Sequence, residues 1–435
     1  MGSNPTPSAK YLKIRKNFNT LITTIHIPKV SQYFTNTRIR QLLKFAVPFL
    51  ILVIVLILSE VKRGDQQFSY LAQAFLDGHL YIPKDIGADL VPWHNRYYWA
   101  LGPAPSLILL PFVGLFSIFN IFFYQGYLQW FFILGTLVFV YKIARKIAYS
   151  AEDSLTLSLA FALGSTFVGV ASVSMSWYFS QILTTFLLLW SIYEYYSRKR
   201  WWLIGILCAF IFMTRITAAP IIIFFGLEIW RLVRSNHQRL RVYAQLFTPS
   251  LFAIILLAIY NFARFHNVFE QGYLNQLLVT PGLYRARDYG LLSLSHVPGN
   301  IFIAFLGTPM PVYRDGISHV LGPPFLTNNP WGMSVFITSP YLLYLFTLKK
   351  KAFDARSKYM IIAIVASMTL IFLYYGIGYY QLGYRYALDF LPLTFVLFMI
   401  KYHDGHKKLS SAMNWVLLGS GVVNFYFLLT FWGAI

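Results

Sequence analysis

The chain is almost without cysteine. Cys208 is the single one among 435 residues, which excludes an intrachain disulfide and a cysteine-built metal centre. Charge is scarce as well: Asp, Glu, Lys and Arg together make up 12%, about half the share usual in soluble domains. Acids are rarest, 15 against 36 Lys and Arg. Several catalytic signatures are missing. There is no glycine-rich nucleotide loop, no HExxH and no G-x-S-x-G elbow, so the common nucleotide folds, zincins and α/β-hydrolases lack their motifs. No internal repeat is evident, which weighs against a carrier built from inverted halves.

What is abundant is apolar surface: 57% of residues are hydrophobic and 19% aromatic. Apolar stretches of the length that crosses a hydrocarbon core recur along the chain, and no strand-like alternation of a membrane barrel accompanies them. The pattern predicts an all-α polytopic membrane protein. Spans are expected near 42–59, 124–142, 154–172, 176–196, 201–213, 216–230, 245–262, 331–348, 359–377, 385–401 and 412–431, about eleven helices. Residues 1–41 form a basic amino-terminal arm and 42–435 the membrane domain.

The net charge of +21 could point to nucleic acid, but its placement points to topology. Residues 1–44 carry eight Lys/Arg and no acid. Further basic clusters surround Lys142, Arg198, Arg231, Lys350 and Lys407, each between apolar spans, as the positive-inside rule places cytoplasmic loops. No nucleic-acid partner is implied. The amino terminus is then cytoplasmic, and two long outer loops follow, 60–123 and 263–330. Residues 104–119 and 291–311 are apolar but broken by Pro105, Pro111, Pro298 and Pro309, and read as interfacial or re-entrant helices within those loops.

Chemistry concentrates in the first outer loop. Asp65 opens a stretch in which Phe68, Leu71, Ala72 and Phe75 recur at helical spacing. It reads either as a plain cap of that helix or as a general base or metal-binding carboxylate at the bilayer surface. Downstream, Trp93-His94-Asn95-Arg96-Tyr97-Tyr98-Trp99 clusters aromatics, which stack on sugar rings or anchor at headgroups. Several outer arginines have too few nearby acids to pair them all locally: Arg215, Arg264, Arg285, Arg287 and Arg385. Guanidinium groups bind phosphate bidentately and suit a phosphate-bearing headgroup. Arg385 and Asp389 stand four residues apart, the spacing of a helical ion pair, so Asp389 is expected to orient Arg385.

The block Ser69-Tyr70-Leu71-Ala72-Gln73-Ala74-Phe75-Leu76-Asp77-Gly78-His79-Leu80-Tyr81, preceded by Asp65, resembles the first outer loop of GT-C-type integral-membrane glycosyltransferases. Arg96-Tyr97-Tyr98-Trp99 before Gly102-Pro103-Ala104-Pro105 is similar to a bacterial branch related to protein O-mannosyltransferases and lipid A aminoarabinose transferases. Tyr260-Asn261-Phe262-Ala263-Arg264-Phe265 and Tyr384-Arg385-Tyr386-Ala387-Leu388-Asp389 look like later blocks of that branch. The resemblance implies a GT-C-like bundle in the bacterial plasma membrane with its site on the extracytoplasmic face. It implies inverting transfer of a sugar from a polyprenyl-phosphate donor to a lipid, glycan or protein acceptor. Asp65 would be the base, with a weaker second role as ligand of a divalent cation (Mg or Mn). Arg385, with Arg264, Arg285, Arg287 and Arg215, would meet the donor phosphate. Tyr70, His79, Arg96, Tyr97, Tyr98, Tyr384 and Asp389 would line the substrate site. Gln66 stands where relatives often carry a second acid. A transporter or flippase of a lipid-linked glycan is the alternative.

Overall fold

In a computed structural model the described residues run from 37 to 434, apart from 84, 85, 88 and 316. Most of the amino-terminal arm and Asp85 therefore lie outside them. The chain divides into two compact units, 1–50 and 51–435. The first contributes the start of a helix, α1 (Thr37–Val61). Everything below concerns the second.

Helices make up 67% of the described residues. Among the described residues four helices are long and apolar enough to cross a membrane: α4 (Gly126–Lys146), α10 (Asn236–Phe265), α14 (Ala355–Leu373) and α16 (Ser411–Phe431). These coincide with four of the expected spans. Others are divided into shorter pieces. The stretch expected at 154–172 is α5 (Ala151–Leu163) and α6 (Phe167–Ala171), parted at Gly164-Ser165-Thr166. The pair expected at 201–213 and 216–230 is α8 (Trp201–Thr214) and α9 (Ile221–Leu232). The stretch at 331–348 yields α13 (Val335–Thr338) and a 3-10 helix over Pro340–Thr347, because Pro340 withdraws a backbone donor as the helix would begin.

The two long loops are helical in part. The first holds α2 (Gln67–Leu76) and α3 (Ala104–Ser117). At 1.5 Å per residue α3 reaches only about 21 Å, short of the roughly 30 Å of hydrocarbon. The second holds α11 (Pro281–Asp288) and α12 (Val297–Leu306). Each loop also forms a β-ribbon, which the helical reading of the sequence does not anticipate: β1 (Leu90–Trp93) with β2 (Arg96–Trp99), and β3 (Met310–Tyr313) with β4 (Leu321–Thr327). In the first, Trp93 pairs with Arg96 and both turn residues, His94 and Asn95, have positive φ. That is the two-residue primed turn, whose twist matches the strands and which Asn tolerates well.

The central helix is α7 (Ser176–Tyr196), buried on nearly every side. It is full of small polar groups, among them Ser180, Gln181, Thr184 and Thr185, all fully buried. Surrounded by protein, two of them find backbone partners, Ser180 the Trp177 carbonyl at 2.7 Å and Gln181 the Arg385 carbonyl at 3.3 Å, while the Thr184 and Thr185 hydroxyls have none. Its outward counterpart is α10, of whose 30 residues only Leu246, Ala253, Asn261, Arg264 and Phe265 are buried. The helix α15 (Leu391–His406) completes the interior.

Helices α8 and α10 pack at close range over Gly205. A methyl group there would lie 2.5 Å from the Gln245 carbonyl and 2.6 Å from that of Leu246, which is the small-residue contact typical of membrane helices. Gly205→Leu is therefore expected to lower stability by at least the roughly 1–3 kcal/mol of an overpacked core. A detergent melting curve checks this, and an unchanged midpoint would refute the close contact.

Candidate functional site

The site begins with a polar clamp. Gln66 is buried and its amide donates to the Arg63 carbonyl at 2.8 Å and the Ser174 carbonyl at 3.2 Å, while its Oε1 accepts from the Gln125 backbone N–H at 3.1 Å. Gln125 in turn donates to the carbonyls of Ser174 at 2.6 Å and Asp65 at 3.2 Å. The Ser176 N–H also reaches the Asp65 carbonyl, at 3.0 Å. Gly64 has positive φ and its missing Cβ would sit 2.7 Å from Met175 Cβ, so the strand 62–66 lies directly on the turn before α7. The backbone of Asp65 is thus fixed by Gln125 and Ser176, and its carboxylate lines a cavity. Asp65 precedes the cap residue Gln66, and α2 has no side-chain cap; the cap reading of Asp65 does not hold.

That cavity, of about 260 Å³, is lined by Asp65, Asp89, Trp177, Tyr178, Tyr380 and Arg385 among others. Asp89 is a residue that sequence reasoning passed over as one acid among several. It sits at the foot of β1 with φ of 68°, its carboxylate accepts from Trp177 Nε1 at 2.8 Å, and its carbonyl accepts from the Gln276 amide at 3.1 Å. Burial pushes its carboxyl up to about 6, against the pull of the Trp177 hydrogen bond and the Arg385 charge, with the Asp65 charge adding to the rise. Burial also raises the Asp65 carboxyl, opposed by a hydrogen bond from the Gln67 side chain.

Arg385 is 6% exposed. Its Nη1 donates to Gln181 Oε1 at 3.4 Å, its Nε has no partner, and its guanidinium lies between the rings of Tyr178 and Tyr386 at 5.2 and 5.0 Å. No acid forms an ion pair with it among the described residues. The expected partnership with Asp389 is corrected by the structure. Residues Arg385–Asp389 form a 3-10 helix, in which positions four apart point about 120° away from each other. Asp389 instead takes Arg215, by two bonds of 2.7 and 2.9 Å, and accepts from Thr217.

A second pocket, of about 360 Å³, shares the wall Trp177, Tyr374 and Tyr386 with the first. It holds Arg215, neutralised by Asp389, and Arg264, buried and donating to the Trp99 carbonyl and the Asn261 side chain, both at 2.8 Å. The remaining sequence candidates stand apart from the Asp65 pocket. Arg287 ties down the carbonyls of Tyr273 and Gln276 at 2.8 and 2.9 Å, and Arg285 is exposed on α11. Tyr70 packs on Phe122, His79 on Tyr81, and Arg96 covers Tyr81. Tyr97 and Tyr98 lie in β2, Tyr98 buried against Phe265. Tyr384 is fully buried beneath Tyr386.

As a cation site the donor set is incomplete. Among the described residues no group of three or more His, Cys, Asp or Glu comes together, and Gln66, at the position of the second acid, is spent on the clamp. The described residues do not assemble a protein-built metal centre, and no step below passes through one.

The Arg215–Asp389 pair has a sharp consequence. Removing one member of a buried ion pair leaves the other charge unmatched and costs about 3–5 kcal/mol. Asp389→Asn is expected to lower thermal stability strongly, whereas Arg385→Gln, which breaks no ion pair, is expected to lower it little. Melting both variants in one detergent checks the contrast.

No family model matches the chain, and no curated protein matches its sequence. Among solved structures it is similar to the archaeal oligosaccharyltransferase of Archaeoglobus fulgidus. The apo form aligns at 14% identity with a TM-score of 0.43, over 89% of this chain and 55% of that one. The same protein, AglB, in complex with an inhibitory peptide and a dolichol-phosphate aligns at 12% identity with a TM-score of 0.45, over 91% and 56%. The chain therefore spans about half the length of that oligosaccharyltransferase.

Proposed function

We propose that the protein is a membrane glycosyltransferase that moves a sugar from a polyprenyl-phosphate donor to a hydroxyl of a lipid, glycan or protein acceptor, with inversion. One observation carries this reading: Asp65 and Asp89 share an aromatic-walled pocket with an arginine that forms no ion pair with any described acid. In this reading the pocket lies on the extracytoplasmic face of a bacterial plasma membrane.

The chemistry follows from the charges. The acceptor oxygen attacks the sugar's anomeric carbon, the bond from that carbon to the donor phosphate oxygen breaks, and the hydroxyl proton passes to Asp65. Inversion requires a single base on the face opposite the leaving group. The departing phosphate gains negative charge, and Arg385, desolvated and held between two tyrosine rings, is placed to offset it. Asp89, fixed by Trp177, offers an acceptor for a sugar hydroxyl. Aromatic faces at Trp177, Tyr178 and Tyr380 suit a sugar ring.

Asp65→Asn should reduce transfer by about 10²–10⁴-fold, the range of a lost general base, with the melting temperature nearly unchanged. The assay uses purified protein and a radiolabelled polyprenyl-phosphate sugar; full activity in this variant would sink the reading and favour a protein that merely carries the lipid. The pH profile supplies an independent check. A base must be ionised, so activity falls as pH drops. With the Asp65 carboxyl raised by burial, the acid limb should lie above the ordinary carboxylate range. Asp89→Asn removes a like charge from beside Asp65, so the limb should move to lower pH.

A further inference from the structure

Three arginines line the two pockets and a fourth, Arg287, lies outside them; their charges are treated differently. Arg215 is matched by Asp389. Arg287 spends its Nη1 on two carbonyls. Arg385 is unmatched in the Asp65 pocket. Arg264 is unmatched in the other one: it is 4% exposed, its Nε has no partner, and it forms no ion pair with any described acid. Glu270 reaches it only through its field, its carboxylate being bonded to the Gly272 N–H. A guanidinium taken out of water without a counter-charge is held at a cost, and an anion arriving from outside would remove that cost.

The walls around Arg264 say what else the ligand carries. Leu257, Phe212, Leu292 and Leu370 line the same pocket, and Leu257, Tyr260, Asn261 and Arg264 all lie on α10, the helix with the fewest buried residues of the four long ones. An apolar chain can therefore enter from the lipid side while its anionic group meets Arg264. We infer that this pocket is a binding site for a phosphate-bearing amphiphile, separate from the phosphate site at Arg385. Resting on the proposed reading of Arg385 as the donor site, it assigns the Arg264 pocket to the second substrate. The acceptor is then an anionic lipid rather than a peptide or a neutral glycan.

The two readings can be separated by counting bound ligand. The purified full chain, in nanodiscs of phosphatidylcholine, is titrated with radiolabelled farnesyl phosphate, with farnesol and with inorganic phosphate. Two farnesyl phosphates should bind per chain, with farnesol and inorganic phosphate each at least tenfold weaker. Arg264→Gln should lose one of the two and Arg264→Lys should keep it. Leu257→Trp, which fills the pocket and touches none of Arg264's hydrogen bonds, should lose the same one. Arg385→Gln should lose the other. Two bound molecules retained in both Arg264→Gln and Leu257→Trp would overturn the inference and leave Arg264 as a strut for the Trp99 carbonyl. Inorganic phosphate binding as tightly as farnesyl phosphate would overturn the amphiphile. If Arg385→Gln keeps both sites while Arg264→Gln loses one, the donor role of Arg385 fails and the site at Arg264 stands.

Discussion

A polar group inside an apolar helical bundle has to find its partner within the protein, and this constraint orders the whole molecule. Water is absent from the hydrocarbon and an unpaired donor or charge there costs several kcal/mol. The amides of Gln66 and Gln125 and the hydroxyl of Ser176 meet that demand by binding loop backbone. In doing so they fix the backbone of Asp65 against the start of α7. Asp389 meets it by neutralising Arg215. At Arg385 and Arg264 it is met only in part: each keeps an Nε–H without a partner and forms no ion pair with a described acid.

The same rule separates structural polar residues from those free to act. Gln66 is fully engaged, and its engagement explains why the position expected for a second acid holds an amide: a carboxylate there could not donate to Arg63 and Ser174. Arg215 looked equivalent to Arg385 as a basic residue without a local acid, yet its partner comes from 174 residues away. Asp89 looked like one of several loop acids, but the Trp177 hydrogen bond and its burial set it beside Asp65 in the pocket.

Geometry also divides the work between two chambers. Both are walled mainly by apolar and aromatic side chains; one bears two carboxylates, the other a guanidinium without an ion pair to a described acid, and Trp177, Tyr374 and Tyr386 stand between them. In the proposed reading, a reaction between two lipid-borne substrates, such a division is what the chemistry needs. Each chain must stay in an apolar environment while the reacting ends meet in a polar one.

The sequence by itself determined the helical membrane character, because hydropathy depends on composition over a window and not on partners. It also determined the loop that carries Asp65, through charge placement and helical spacing. Four long helices are where hydropathy put them. What it did not determine was how the other apolar stretches break. Gly164-Ser165-Thr166 and Pro340 act only once neighbouring segments fix the chain's path. The β1–β2 ribbon was legible only at His94-Asn95, a short signal within an aromatic run. Local spacing suggested Arg385 with Asp389; tertiary structure decided otherwise, because a 3-10 turn rotates the two apart and α8 delivers Arg215. Which arginines carry a free charge is a property of the folded chain alone, since burial and counter-charges come from distant segments.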